Sequence, residues 1–175
     1  MDHSIQIRKM KQEDISNVYK VFREHDIRKP FEYIEQCWKE NQTGNRITLL
    51  AFHNEDFAGS LHLLARAKYP CFVENGIPEI NDFNVIKPFR RLGIGNQLME
   101  YIEQIAFEKY GVVGVGVGMH IHYGQAQRLY AKRGYIPDGR GLTYHNNQLN
   151  PGVKIYADDD LILYMIKNVK ESIHL

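Results

Sequence analysis

Two arginines and two glycines lie together in the segment Arg90–Gly95, between a predicted strand over Glu79–Ile86 and a predicted amphipathic helix over Ile94–Lys109. A glycine-rich turn that opens a helix points successive backbone N–H groups at an anion. The helix dipole favours negative charge there, and arginine adds a fork of donors. Glycine also lets the backbone approach oxygens that a Cβ would keep away. The segment therefore predicts a phosphate-binding turn.

A second unusual segment is the predicted strand over Val112–His122. Because side chains alternate along a strand, one face carries only apolar residues and the other carries glycines and histidines: Val113, Val115, Val117, Met119 and Ile121 against Gly114, Gly116, Gly118, His120 and His122. Glycine weakens a strand, so three on one face indicate that something approaches the backbone closely. Either a ligand or a packed helix fits this pattern.

The remaining elements place these two segments in a regular alternation of strands and helices. Periodicity predicts an opening strand over Ile5–Arg8, helices over Glu13–Arg23 and Phe31–Lys39, and a hairpin of the strands Arg46–Phe52 and Phe57–Ala65. A loop is predicted over Lys68–Pro78, a helix after the glycine strand over Tyr123–Arg133, and closing strands over Leu142–His145 and Leu161–Lys167. Gly111 and Gly134 stand where C-terminal helix caps are expected.

Composition bounds the kind of protein. The chain has 175 residues, of which 43% are apolar, enough for one domain spanning 1–175. With 22 basic and 21 acidic residues its net charge is +1, which argues against a nucleic-acid partner. No apolar run reaches the roughly 18–20 residues of a membrane span. The N-terminus lacks a secretion signal, and the two cysteines, Cys37 and Cys71, are expected to be reduced. We expect a cytoplasmic protein with no membrane partner.

Two segments carry a resemblance to a known family. The sequence from Tyr123 to Tyr135 is similar to the N-x-x-A-x-x-L-Y-x-K-x-G-F/Y segment of the GNAT superfamily of N-acetyltransferases. The sequence from Val85 to Gly95 resembles that superfamily's V-x-x-x-x-R-x-x-G-x-G segment. The resemblance implies an α/β (α+β) fold with a central mixed, mostly antiparallel sheet. That sheet would be splayed between its fourth and fifth strands and flanked by about four helices.

The same resemblance implies acetyl-CoA as co-substrate, lying in the split. Backbone groups near Val85 would pair with the pantetheine arm, and the motif's first arginine is Arg90. The backbone amides that would hold the pyrophosphate are those of Arg91, Leu92, Gly93, Ile94 and Gly95. Tyr130 matches the tyrosine that protonates the leaving thiolate in many members. Such an acid makes chemical sense, because thioester aminolysis needs a base for the amine and a proton for the sulfur.

The sequence departs from the family pattern at three positions. The usual proline is displaced to Pro88, the motif's asparagine is replaced by Tyr123, and Asn81 stands where many relatives carry a glutamate base. The base therefore stays open. The candidates are Glu79 acting through a water, Asp82, His120, His122, and bulk water acting on an amine that is already partly neutral.

Two further clusters carry weaker signals. His120 and His122 have the spacing of two metal ligands, but no third ligand is evident in the sequence nearby, so no metal is expected. The acidic run Asp158–Asp160 is either an attractor for a cationic amine or a solvated turn.

Together these features predict an acetyl-CoA-dependent N-acetyltransferase. It would act on a primary amine of a small molecule by direct transfer in a ternary complex, with Tyr130 and Glu79 as its catalytic residues. The exposed last strand is compatible with a homodimer. A non-catalytic acyl-CoA sensor is the main alternative, and an ATP-binding protein is disfavoured because the turn lacks the P-loop lysine.

Overall fold

The computed structural model describes residues 4–169. The chain divides into two compact units. The first unit comprises Met1–Ala65 and Ile80–Ile105, and the second comprises Arg66–Glu79 and Ala106–Leu175. In chain order the elements are β1 (Ile5–Lys9), α1 (Ile15–Glu24), α2 (Phe31–Thr43), β2 (Arg46–His53), β3 (Asp56–Leu64), α3 (Pro70–Glu74), β4 (Glu79–Val85), α4 (Ile94–Tyr110), β5 (Val112–Gly118), α5 (Gly124–Lys132), β6 (Ile136–Tyr144), β7 (Asn147–Gln148) and β8 (Leu161–Asn168).

The first unit orders its strands β1-β2-β3-β4, and both β1–β2 and β2–β3 pair antiparallel. The predicted hairpin turn between β2 and β3 is confirmed. Asn54 and Glu55 adopt φ of 49° and 73°, the left-handed geometry of a tight hairpin turn. An apolar core joins α1, α2 and these strands, with buried residues that include Phe22, Ile34 and Leu50.

The second unit orders its strands β5-β8-β6-β7, and each neighbouring pair is antiparallel. Its core contains a stacked pair of rings, Tyr69 on Tyr164, with centroids 3.8 Å apart. The mixed α/β class with mostly antiparallel pairing is confirmed, with five α-helices among residues 4–169 rather than about four. The splay between the fourth and fifth strands and the single-domain organisation stay predictions.

The additional helix is α3, and the prediction that Lys68–Pro78 is a loop was wrong over Pro70–Glu74. Proline at the first helical position is compatible with a helix start, since its missing N–H has no intrahelical partner there. Phe72 is fully buried by this turn of helix. Five residues show too little periodicity for the helix to be recognised from sequence.

The glycine strand ends earlier than predicted. β5 stops at Gly118, and Ile121–Tyr123 forms a short 3-10 helix, so His120 and His122 do not lie on a strand face. The strand predicted over Leu142–His145 is longer, starting at Ile136, and β7 pairs with its end.

Protein side chains cover the three glycines of β5, which decides between the ligand and the packing interpretations. A Cβ built on Gly114 would lie 2.1 Å from the Phe72 ring, one on Gly116 2.9 Å from Tyr164, and one on Gly118 2.3 Å from Tyr123. Aromatic rings therefore occupy the space that side chains would take. The close approach to this strand comes from packing within the second unit.

We predict that Gly114→Ala lowers the free energy of unfolding by about 1–3 kcal/mol, because the new methyl group overlaps the Phe72 ring in a filled core. Urea unfolding followed by circular dichroism measures this. Gly124→Ala is the matched control, since Gly124 is helical with open space around it and should gain up to about 1 kcal/mol. Equal stabilities of the two variants would contradict the packing account.

Candidate active site

The Arg90–Gly95 turn lies in the first unit, between a short 3-10 helix over Lys87–Phe89 and the start of α4. Arg91 adopts φ of 66° and Gly93 φ of 85°, so the backbone enters the left-handed region twice within three residues. Glycine adopts this geometry without cost, whereas arginine rarely does. The strain at Arg91 marks a backbone shaped for a purpose other than simple connection.

The start of α4 is held rigidly against β4. Ile94 is buried, and a Cβ on Gly95 would lie 3.2 Å from the Phe83 ring and 3.6 Å from Val85. Glycine at this position therefore lets the first turn of the helix lie close to the strand. The first N–H groups of a helix have no intrahelical acceptor, so they are available to an anion.

The predicted cofactor-binding residues come together at this turn. Arg91, Leu92 and Gly93 are exposed, while Ile94 is buried and can contribute only its backbone. The Arg90 guanidinium donates from Nε to the carbonyl oxygen of Val85 at 3.1 Å. Arg90 thus closes the turn onto the end of β4. An exposed turn with two left-handed residues at a helix N-terminus fits a diphosphate group.

Tyr130 lies on α5 in the second unit, with its side chain buried beside the Tyr135 ring at a centroid distance of 5.7 Å. Burial, with a smaller contribution from Tyr123, raises the pKa of Tyr130 well above its ordinary value. The phenol therefore keeps its proton at neutral pH. Such a group can donate a proton, and it is unsuited to act as a base.

Glu79, the first residue of β4, belongs to the second unit and is buried. Its carboxylate oxygen Oε2 accepts from the backbone N–H of Lys68 at 3.3 Å. The negative charge on Glu79 contributes, after burial, to a raised pKa of Tyr164. This carboxylate is therefore positioned by protein contacts, whereas Asn81 is partly exposed.

The two histidines follow β5, and one is fixed by the acidic loop. His120 Nε2 lies 2.8 Å from an oxygen of Asp159, and the Tyr123 hydroxyl donates to the same oxygen at 3.1 Å. The hydrogen bonds of His120 and Tyr123 lower the pKa of Asp159. His122 is exposed. These contacts give Asp159 a role in fastening its loop within the second unit.

The neighbouring carboxylates of that loop are engaged in the same way. The Tyr144 hydroxyl donates to Asp158 at 2.8 Å, and His145 lies 3.2 Å from Asp160. The acidic run thus contacts its own unit through all three carboxylates, as expected of an anchored turn. Within residues 4–169 no group of three or more His, Cys, Asp or Glu side chains is arranged to hold a metal ion.

Asp82, in the middle of β4, is the centre of a polar cluster in the first unit that sequence analysis missed. Tyr33 donates from its hydroxyl to Asp82 Oδ2 at 2.8 Å, and the Lys29 ammonium lies 2.7 Å from Oδ1. His62 Nε2 lies 3.5 Å from Oδ2, and Asn84 donates to Oδ1 at 3.0 Å. Four side chains from three different parts of the chain therefore converge on one carboxylate.

The charge state of this cluster follows from its surroundings. Burial opposes ionisation of Asp82, but the hydrogen bond from His62 and the charge of Lys29 outweigh it and hold the Asp82 pKa well below its ordinary value. Burial lowers the pKa of His62 and raises that of Tyr33. At neutral pH the cluster therefore holds an ionised Asp82, a neutral imidazole and a neutral phenol. A carboxylate with so low a pKa is a weak general base.

The backbone at Asp82 is unusual as well, since its φ of 49° lies in the left-handed region within a strand. The Asn84 side chain also donates to the Asp82 carbonyl oxygen at 3.1 Å, which helps to hold this geometry. The regular alternation of side chains along a strand is therefore interrupted at Asp82. A histidine among the apolar residues of β3 was the available sequence signal for the cluster.

No helix within residues 4–169 has the length and apolar character needed to cross a bilayer.

No curated protein matches the sequence. The family model of the acetyltransferase (GNAT) family matches residues 12–135, which include both the Arg90–Gly95 turn and Tyr130.

Solved structures show the same fold at low sequence identity. An acetyltransferase of the GNAT family from Streptococcus pneumoniae is 19% identical, with a TM-score of 0.66 over 95% of this chain and 100% of that one. Ribosomal-protein-alanine N-acetyltransferase from Brucella melitensis is 16% identical, with a TM-score of 0.68 over 94% and 99%. A chimera of spermidine N-acetyltransferase from Vibrio cholerae is 12% identical, with a TM-score of 0.68 over 94% and 95%.

Identities this low speak for the fold alone, whereas the family model covers well over half of the sequence. Since that model matches residues 12–135, which include the Arg90–Gly95 turn and the buried Tyr130, the chain belongs to the GNAT family of acetyltransferases.

Proposed function

We propose that this protein transfers an acetyl group from acetyl-CoA to a primary amine of a small molecule, directly, in a ternary complex. The observation that carries the proposal is the Arg90–Gly95 turn, with its left-handed Arg91 and Gly93 at the N-terminus of α4. A diphosphate is the group that such a turn recognises best. Acetyl-CoA, when bound, supplies an activated acetyl thioester.

The turn contributes binding and orientation. The backbone N–H groups of Arg91, Gly93 and Gly95 would hold the pyrophosphate oxygens, and the Arg90 side chain braces the turn through its hydrogen bond to Val85. The Val85 backbone would pair with the pantetheine arm. These contacts would hold the thioester in a fixed orientation, which lowers the entropic cost of the reaction.

Tyr130 and Glu79 would handle the protons. As the amine attacks, the C–N bond forms and the C–S bond breaks, so the sulfur leaves as a thiolate that needs a proton. The buried Tyr130 phenol holds that proton at neutral pH, because its pKa is raised. Glu79 is the carboxylate we assign as base, acting through a water that takes the amine proton. Asp82 is the weaker candidate, because its lowered pKa makes it a poor proton acceptor.

A non-catalytic acyl-CoA sensor is the alternative. Asn81 at the position of a conventional base favours it, because an amide cannot accept a proton in this pH range. The buried, protonated Tyr130 favours an enzyme instead. The effect of Tyr130→Phe on thiol release distinguishes an acetyltransferase from a sensor.

Replacing Gly93 with glutamate should weaken acetyl-CoA binding by tenfold or more, about 1.4 kcal/mol or greater. The new side chain places a negative charge beside the pyrophosphate and strains a left-handed backbone. Calorimetric titration with acetyl-CoA measures the dissociation constant. Gly44→Glu is the matched control, with the same charge change and a φ of 76° at the end of α2. Unchanged affinity of Gly93→Glu would remove the pyrophosphate from this turn.

Replacing Tyr130 with phenylalanine should lower kcat by about 10²-fold to 10⁴-fold, the range for a lost general acid, while acetyl-CoA affinity changes little. Free thiol release with a panel of amines gives kcat, and calorimetry gives the affinity. Tyr164→Phe, also a buried tyrosine with a raised pKa, is the control and should keep its kcat. Equal rates for the two variants would rule out Tyr130 as the acid, and acetyl-CoA binding without thiol release in the unmodified protein would support the sensor.

For Glu79→Gln we expect a loss of kcat that is largest at low pH and shrinks as the pH rises. A carboxylate base matters most where the amine is fully protonated and hydroxide is scarce. The pH profile of kcat tests this between about pH 6, where the amine is protonated, and about pH 9.5, where part of it is neutral. A deficit that is the same at every pH would show that Glu79 is structural and would redirect the search for the base to His120 and His122.

A further inference from the structure

We infer that the Asp82 carboxylate and the ring of Tyr33 form a subsite for the ammonium group of the acceptor. In this view the Lys29 ammonium occupies the subsite until an acceptor competes with it. The inference deepens the proposed function and rests on it for the identity of the ligand as an acceptor amine. Every residue that it uses lies in the first unit.

The contacts of Lys29 are those of an ammonium ligand in a binding site. Its Nζ lies 2.7 Å from Asp82 Oδ1 and 5.2 Å from the centroid of the Tyr33 ring. A carboxylate beside an aromatic face is the combination that recognises small organic cations, since the charge pairs with the carboxylate and the ring attracts it through its quadrupole. The side chain of Asp82 is only 11% exposed, so water screens the interaction weakly.

The carboxylate is oriented independently of Lys29. Tyr33 donates to Oδ2 and Asn84 donates to Oδ1, while His62, itself held by Thr48 at 2.8 Å, lies against Oδ2. If the lysine leaves, these partners still hold the carboxylate and leave Oδ1 able to accept again. Ammonium groups of similar size can then take the same position.

Lys29 is suited to leave. It lies in the connection between α1 and α2, and its side chain is 29% exposed, in contrast to the nearly buried Asp82. Together with Tyr19 and Pro30 it lines an open surface depression of about 460 Å³. When an acceptor ammonium takes its place at Asp82, this flexible four-carbon side chain can reach the depression and keep its own ammonium solvated there.

The depression that Lys29 lines carries mainly positive side chains, whereas the subsite itself holds one carboxylate. Arg23 and Arg28 line the depression together with Asp26, so positive side chains outnumber negative ones even after Lys29 is set aside. One carboxylate beside one aromatic ring matches an acceptor with a single ammonium group.

The test is a chemical-shift titration of isotope-labelled full-length protein with n-butylammonium chloride at constant ionic strength. Lys29→Met should bind the probe about tenfold more tightly than the unmodified protein, because the internal competitor for a charge-assisted hydrogen bond is gone. Lys39→Met is the matched control, since it removes the same charge from an exposed ion pair with Glu35 at 2.9 Å. The control should bind like the unmodified protein.

Two further measurements make the assignment specific. Adding Asp82→Asn to Lys29→Met should abolish the gained affinity, and 1-butanol, which lacks the charge, should not bind the Lys29→Met protein. Affinity for n-butylammonium that is the same in Lys29→Met and Lys39→Met would overturn the subsite. Tight binding that survives Asp82→Asn would overturn it as well.

Thiol release in the same samples separates this inference from the proposed function. Acetylation of butylamine with the same KM in Lys29→Met and Lys39→Met would leave acetyl transfer intact and overturn the subsite. Tighter binding in Lys29→Met with no thiol release on any amine, in the presence of acetyl-CoA, would support the ammonium site and overturn the transfer reaction.

Discussion

A carboxylate buried within a strand has to be paired, and in the first unit this requirement falls on Asp82. An unpaired charge in so dry a position would cost several kcal/mol, so the partners of Asp82 are not optional. The Asp82 carboxylate is paired with Lys29 from the α1–α2 connection, Tyr33 from α2 and His62 from β3. One ionised group thereby joins the α1–α2 connection, helix α2 and strands β3 and β4 of this unit.

The Arg90–Gly95 turn is distinguished by its backbone shape more than by its side-chain charge. Its two left-handed residues and the close contact of Gly95 with Phe83 orient the first amides of α4, and Arg90 is engaged with Val85. In the proposed function such a turn would bind an anion through fixed dipoles, which need no reorganisation when the ligand arrives. This is the feature of the first unit that best explains how an acetyltransferase of the GNAT family would hold its co-substrate.

In the second unit, aromatic rings pack over the glycine residues of β5. Phe72, Tyr164 and Tyr123 lie over Gly114, Gly116 and Gly118 of β5, so this strand is covered by the unit's own side chains. Tyr123 stands where the family motif has asparagine, and its hydroxyl also fastens Asp159. The departure from the motif is thus absorbed into packing, while Tyr130 keeps a dry environment that preserves its proton.

Most of the strands and helices follow from residue types and spacing within short segments, and the phosphate-binding turn is a prediction of the same kind. The α/β class and the family were indicated by the resemblance of two segments to a known family, and both are confirmed. Local spacing did not reveal α3, which is too short to show periodicity. It also did not reveal the end of β5 at Gly118, because the apolar alternation continues through Met119 and Ile121. It also could not reveal the Asp82 cluster, since Lys29, His62 and Asp82 are far apart in the chain. Only the tertiary structure decided which distant side chains share one carboxylate, because that depends on how strands and helices pack.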